Sequence, residues 1–173
     1  MSNEIFDIVN ESDEIIGKAS REEAHIKGLL HRSVLFFIID FKGRVFVNQR
    51  SITKEFYPGH FSIVCGGHVE SGEDYKDAAI REAKEEAGID TKPIFLTDYK
   101  KRFNKEDPEN IKVYAFITDK EPKLDLSEIN HGRFMTIEEL TQKLKQETFL
   151  PETLDLLGIL KKAQKKLQKP AII

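Results

Sequence analysis

Three glutamates, Glu82, Glu85 and Glu86, stand at i, i+3 and i+4 in a stretch that reads as helix, which puts three carboxylates on one face. Like charges at that spacing cost roughly 0.2–0.5 kcal/mol per pair. Glu85 and Glu86 also fall in the last turn, where the helix dipole favours cations. The plainer reading is a solvated acidic face, since glutamate is a good helix former. A divalent cation inverts that balance, because Mg²⁺ takes hard oxygen ligands and turns repulsion into coordination. The wider spacing decides between the two. Gly67 is followed after five residues by Glu73, and after seven more by Arg81-Glu82-Ala83-Lys84-Glu85-Glu86-Ala87-Gly88-Ile89. Ser71, three residues before Asp74, has capping-box spacing and predicts a helix start there; Gly88 is a natural stop.

This stretch resembles the signature of the Nudix hydrolase family, G-x5-E-x7-R-E-U-x-E-E-x-G-U with U a bulky apolar residue. Every invariant position is met, and the one soft departure is Ala83, small for a U. The resemblance implies an α/β fold, the Nudix α/β/α sandwich with a mixed central sheet. It implies Mg²⁺ (or Mn²⁺) held by Glu82, Glu85, Glu86 and the carbonyl of Gly67. Glu82, Glu85 and Glu86 would also be the catalytic groups, and Arg81 with Glu73 would orient the helix and loop. The reaction implied is cleavage of a pyrophosphate bond in a nucleoside diphosphate linked to a moiety X. The physics agrees, because a diphosphate near several carboxylates is repelled unless cations stand between them.

At 173 residues the chain has the size of one domain with a genuine core, and we read 1–173 as a single unit. Residues 1–32 form an N-terminal hairpin and helix lead-in, and 150–173 a C-terminal helix. A hydrophobic share of 39%, a charged share of 33% and a net charge of −3 describe a soluble globular protein. They point to no nucleic-acid or membrane partner; the expected partner is a small-molecule diphosphate, with a homodimer left open. One cysteine suits a reducing cytoplasm, and the acidic Met1–Asp7 segment lacks the apolar core of a signal peptide.

The remaining elements must position the box. Ile5–Val9 and Glu14–Lys18 read as a hairpin around Asn10–Asp13, and Ser20 caps a short helix that ends near Gly28. Val34–Ile39 is a continuous apolar run, the mark of a strand covered on both faces. Val45–Val47 returns after a turn, and Phe61–Gly67 is a strand leading into the box. Ile94–Tyr99 and Val113–Ile117 read as two strands joined by a polar loop that overhangs the site. Thr136 with Glu139 is a capping box for a helix through Lys145. Pro151 opens a last helix with Leu154, Leu157 and Leu160 on one side. Its basic tail, Lys161–Lys169, reads as a solvated helix end.

Several further residues are candidates. Arg50, at a strand end, matches the slot where Nudix enzymes hold substrate phosphate, and its planar fork suits phosphate oxygens. Lys54 is a second phosphate candidate. His68 is a loop residue beside the metal that could touch a phosphate. The lead-in resembles that of type I isopentenyl diphosphate isomerase, a Nudix relative that places two metal-binding histidines there; His25 and His31 are the candidates. The plainer reading puts His25 on a solvated helix face and lets His31 open a strand. That branch also carries metal-binding and acid-base glutamates near Asp107 and Glu109, for which a solvated loop is the plainer reading. Glu128 lies where many Nudix enzymes keep a further acidic residue.

The rival function is isomerase chemistry. In that family a cysteine directly precedes the box glycine, whereas here Gly66 holds that place and Cys65 comes one earlier. A one-residue shift on a strand turns the side chain to the other face. The chain also has no tryptophan, which the isomerase site usually carries. A non-catalytic nucleotide-binding Nudix module is the third alternative, and such modules tend to lose box carboxylates.

Overall fold

The apolar run around Val34 organises the fold. The computed structural model describes residues 4–102, 105 and 107–167. In chain order the elements begin with β1 (Ile5–Val9), β2 (Ile15–Ser20), α1 (Arg21–Lys27), β3 (His31–Ile39), β4 (Val45–Arg50), β5 (Phe61–Ser62) and β6 (Cys65–His68). They continue with α2 (Tyr75–Ala87), β7 (Ile94–Lys101), β8 (Glu109–Ile117), β9 (Ile129–Met135), α3 (Ile137–Lys143) and α4 (Thr153–Leu167). Along one edge β3 runs parallel to β8 over its whole length, from His31↔Glu109 to Ile39↔Ile117. Along the other it passes antiparallel from β1 at His31 to β6 at Ser33–Phe36 and β4 at Ile39. The result is one mixed nine-stranded sheet.

Alternation along β3 feeds two cores. Val34, Phe36 and Ile38 pack beneath α2, while Phe37 and Ile39 join Leu140 of α3 and Leu156, Leu157 and Leu160 of α4. This is the expected α/β/α sandwich. Ala78, Ala79, Ala83 and Ala87 form the buried side of α2, so small side chains bring the helix close to the sheet. Ala83 is fully buried there, which accounts for a small residue at that box position.

Four local expectations change. Asp74, not Ser71, caps α2 by accepting from Lys76 N–H and Asp77 N–H, while the Ser71 hydroxyl donates to Asp7 Oδ1 at 2.7 Å. The run Phe61–Gly67 is two strands, because Ser62 folds its hydroxyl onto Val64 and the chain then passes from pairing with β4 to pairing with β3. Strand β8 begins four residues earlier than Val113, so Glu109 and Asn110 lie in the sheet rather than in a loop. Leu154 faces solvent at 72% exposure, and the buried stripe of α4 is instead Leu156, Leu157, Leu160 and Ala163. The caps at Ser20 and Thr136 and the left-handed stops at Gly28 and Gly88 are as the sequence predicts.

Asp7 fastens the N-terminal hairpin to the box loop, accepting from Ser71 Oγ and from Gly72 N–H at 3.0 Å. Burial raises its carboxyl pKa, but those two bonds together with Lys18 and Arg32 outweigh burial and hold it below the usual value. A depressed carboxyl contributes stability above its unfolded pKa and loses it on acidification. Asp7→Asn should therefore lose about 1–3 kcal/mol at pH 7 in urea denaturation. The gap to wild type should close below about pH 4. A gap that does not change with pH would remove Asp7 from this role.

Candidate active site

The helix α2, the glycine turn ahead of it and the ends of β4 and β8 surround a cleft of about 650 Å³. Gly67, Glu82, Glu85 and Glu86 line it, together with Arg50 and Lys54. His25, His68, Glu109 and Glu128 line it as well. His31 alone of the predicted residues stands behind the wall, fully buried.

The three box glutamates differ. Glu85 sits at the rim with a side chain 60% exposed, while Glu82 and Glu86 turn inward. Burial, followed by the nearby Glu82 and Glu128 carboxylates, pushes Glu86 up to about 8 against the Gly66 N–H and Lys54. Burial likewise raises Glu82, with Arg81 opposing. Arg81 explains how such a cluster folds. Its guanidinium binds Glu73 at 3.0 and 2.9 Å, Glu82 at 2.7 Å and the His68 carbonyl at 2.9 Å, so it ties loop to helix. At Gly67 a Cβ would lie 2.3 Å from Glu82 Oε1, so any side chain there would push the carboxylate out of its present position. Two buried carboxylates facing a backbone turn form a hard oxygen donor set that fits Mg²⁺ or Mn²⁺.

The basic residues are partly committed. Arg50 donates to the Phe56 carbonyl at 3.0 and 3.3 Å, which fixes the loop beyond β4, and Lys54 pairs with Glu128. Both remain on the cleft wall.

A second cluster adjoins the same cleft, with His31 behind its wall. His25 from α1, His31 from β3, His68 from β6 and Asp107 ahead of β8 bring one ligand atom each within 4.8 Å of one another. His25 Nε2 and His31 Nε2 both stand 3.4 Å from Asp107 Oδ1, and all three buried atoms lack a hydrogen-bond partner. His31 Nδ1 is held by the Leu29 carbonyl at 2.8 Å, leaving Nε2 aimed at the centre. Phe6 stacks on His31 and His68 at centroid distances of 5.0 and 4.6 Å. Burial lowers His25 and, more strongly, His68, favouring the neutral imidazole that a metal needs, whereas at His31 the Asp107, Glu109 and Leu29 oxygens outweigh burial and raise it. Three imidazoles and a carboxylate suit a transition metal better than Mg²⁺.

These placements correct several sequence expectations. Asp107 and Glu109 are not solvated; both are buried, and Lys101 Nζ bonds Asp107 and lies 2.7 Å from Glu109 Oε2. His25 has only a 12% exposed side chain rather than a solvated face. His68 sits on a strand with its ring among the other histidines, not in a loop. Lys101 and Glu152, which also line the cleft, carried no signal in the sequence. Cys65 packs under α2 and also lines the cleft beside Glu86, so the one-residue offset does not remove it from the site; burial raises its thiol well above the usual value, with Glu86 adding to the shift.

Comparison with known proteins agrees with this architecture. Residues 29–157 match the NUDIX domain family. The chain is 33% identical to the Nudix hydrolase YfcD of Escherichia coli over 162 residues, 91% of this chain and 87% of that one. The Nudix hydrolase PA4841 of Pseudomonas aeruginosa is 30% identical over 90% of this chain and 92% of its own. A shorter match, 45% identical to the Nudix hydrolase SCO1686 of Streptomyces coelicolor, covers 55% of this chain and about half, 54%, of that relative. Among solved structures, DR0079 of Deinococcus radiodurans superposes with a TM-score of 0.78 at 27% identity, over 90% of this chain and 98% of that one. The Nudix domain of Shewanella oneidensis NrtR, solved with ADP-ribose, shares the fold at a TM-score of 0.61 and 14% identity, over 80% and 88%. A mixed sheet between helices, with the glutamates of α2 facing the cleft, is the Nudix fold. The chain belongs to the Nudix family and is a Nudix pyrophosphohydrolase. No helix among the described residues is long and apolar enough to cross a membrane.

Proposed function

We propose that the protein hydrolyses a pyrophosphate bond in a nucleoside diphosphate linked to X, using a divalent ion at Glu82, Glu86 and the Gly67 carbonyl. The supporting observation is the pair of inward carboxylates, Glu82 and Glu86, buried against Gly67 in a wide cleft. Mg²⁺ or Mn²⁺ bound there would neutralise phosphate charge and polarise the phosphoryl group. Glu85 adds negative charge at the rim. Glu82 takes a proton from the attacking water in this reading, and Arg50 and Lys54 draw the diphosphate across the cleft. The histidine cluster holds a second ion, a transition metal, with Lys101 keeping Asp107 and Glu109 in place. The partner is a small-molecule diphosphate, and a cytoplasmic setting belongs to the same proposal.

The experiment is a screen of nucleotide sugars, dinucleotides, nucleoside triphosphates and prenyl diphosphates with Mg²⁺ and Mn²⁺. Release of a nucleoside monophosphate from at least one nucleoside diphosphate derivative is expected; a panel without turnover sinks the proposal. The histidine cluster is the feature that favours isomerase chemistry, since the isomerase resemblance places metal-binding histidines here. Against it stand the one-residue offset of Cys65 from the isomerase position and the lack of tryptophan, although Cys65 itself lines the cleft beside Glu86. The prenyl arm of the screen separates the two, because an isomerase yields an allylic diphosphate and releases no phosphate.

A further inference from the structure

The segment that leads into α4 contributes Leu150 and Glu152 to the cleft wall. Phe149 bridges Phe61, and the Leu150 N–H donates to the Phe61 carbonyl at 2.9 Å, so this backbone is fastened to β5. Thr153 N–H returns to the Leu150 carbonyl and Leu156 N–H to that of Glu152, which fixes the turn where Glu152 leaves the chain. The Glu152 side chain reaches the cleft wall, and its Oε2 is buried without a hydrogen-bond partner. The carboxylate meets its own backbone N–H, and its charged surroundings are Lys101, Glu109 and Arg50. Lys101 is already committed to Asp107 and Glu109, and Arg50 to the Phe56 carbonyl.

A buried acceptor without a donor destabilises a fold, so its retention at a cleft wall calls for a ligand group that completes it. Ionised phosphate brings only negative charge and acceptors, and carboxylate would repel it. Among the groups that a nucleoside diphosphate derivative carries, an N–H or O–H on the moiety X completes Glu152 without that repulsion. We infer that Glu152 is a specificity-determining residue that accepts a hydrogen bond from a hydroxyl or ammonium group on X, selecting polar over purely alkyl moieties. This deepens the proposed hydrolysis and rests on that reading for the direction in which the diphosphate lies.

The test reads binding rather than turnover. Nucleoside diphosphate analogues with a methylene bridge in place of the cleavable oxygen, carrying a hexose, an aminoethyl or a butyl group, are titrated calorimetrically into the full chain with Mg²⁺. Wild type is expected to prefer at least one donor-bearing analogue over the butyl analogue by about tenfold or more. Glu152→Ala should reduce that preference to within about twofold, because the butyl analogue never used the carboxylate. Glu152→Gln, which keeps one acceptor oxygen but no charge, should preserve part of a hexose preference and lose an aminoethyl preference, which tells the two donors apart. A wild-type protein without preference, or an unchanged preference in Glu152→Ala, overturns the inference. Thermal stability supplies the control for folding: removal of a buried unpartnered carboxylate should leave both variants at least as stable as wild type. Since these analogues cannot be cleaved, failure of hydrolysis in the substrate screen would count against the proposed reaction alone.

Discussion

Replacing Glu86 with glutamine is expected to lower kcat by at least about a thousandfold, roughly 4 kcal/mol of transition-state stabilisation, while the fold stays intact. Glutamine keeps the volume and can still accept from the Gly66 N–H, which Glu86 Oε2 meets at 3.2 Å. What it removes is the charge that a divalent ion needs. The same variant has a second, independent signature in the metal-free protein. Burial, then Glu82 and Glu128, lift the folded Glu86 carboxyl to about 8 from an ordinary value of 4.5. The folded state therefore binds this proton more tightly than the unfolded chain does. That contribution is fully present below the unfolded pKa and is lost as pH rises through about 8. Relative to wild type, Glu86→Gln should gain melting temperature from pH 5 to pH 8.5 and should fail to gain further on addition of Mg²⁺. Scanning calorimetry with and without the ion, beside a turnover assay, checks both. A variant that turns over at the wild-type rate would place the principal ligand elsewhere.

The next largest effect is expected at the histidine cluster. Purified protein should hold about one equivalent of a transition metal, and His31→Gln should weaken its retention by about a hundredfold or more. His31 is the right position because it is fully buried, stacked on Phe6, and locked by the Leu29 carbonyl with Nε2 pointing at Asp107. Elemental analysis measures the content, and anomalous scattering at the metal edge locates the ion. Because a fully buried residue can also upset folding, His25→Gln on the short α1 helix serves as the companion variant, and both should lose the ion. Anomalous density at Glu82 and Glu86 alone, with none among the histidines, would show that the cluster is only a packed network.

Much of the fold and part of the site are legible in the chain by itself. The carboxylate triplet, its glycine stop at Gly88 and the caps at Ser20 and Thr136 are local signals, set by residues within one or two helical turns of each other. The apolar run through Val34 and Ile39 is legible for the same reason, since a strand buried on both faces leaves its mark on every residue. The choice of hydrolase over isomerase also rests on a local fact, the one-residue offset of Cys65, although the fold still brings that thiol to the cleft wall beside Glu86.

Tertiary structure decided the rest, where the partners are far apart in sequence. Ser71 has the spacing of a helix cap, yet Asp7, 64 residues earlier, claims its hydroxyl. The pairing of β3 with β8 sets His31 against Glu109, and that of β3 with β6 sets Ser33 against His68. Only with both registers in place do His25, His31, His68 and Asp107 face one centre. Lys101 and Glu152 look like surface charges until the sheet and α4 close around them. The sequence by itself determined which side chains could hold an ion against a phosphoanhydride, because that depends on types and short spacings. Which polar groups became buried and unpartnered in the same cleft was decided by strand register and by the docking of α4, which no local pattern encodes.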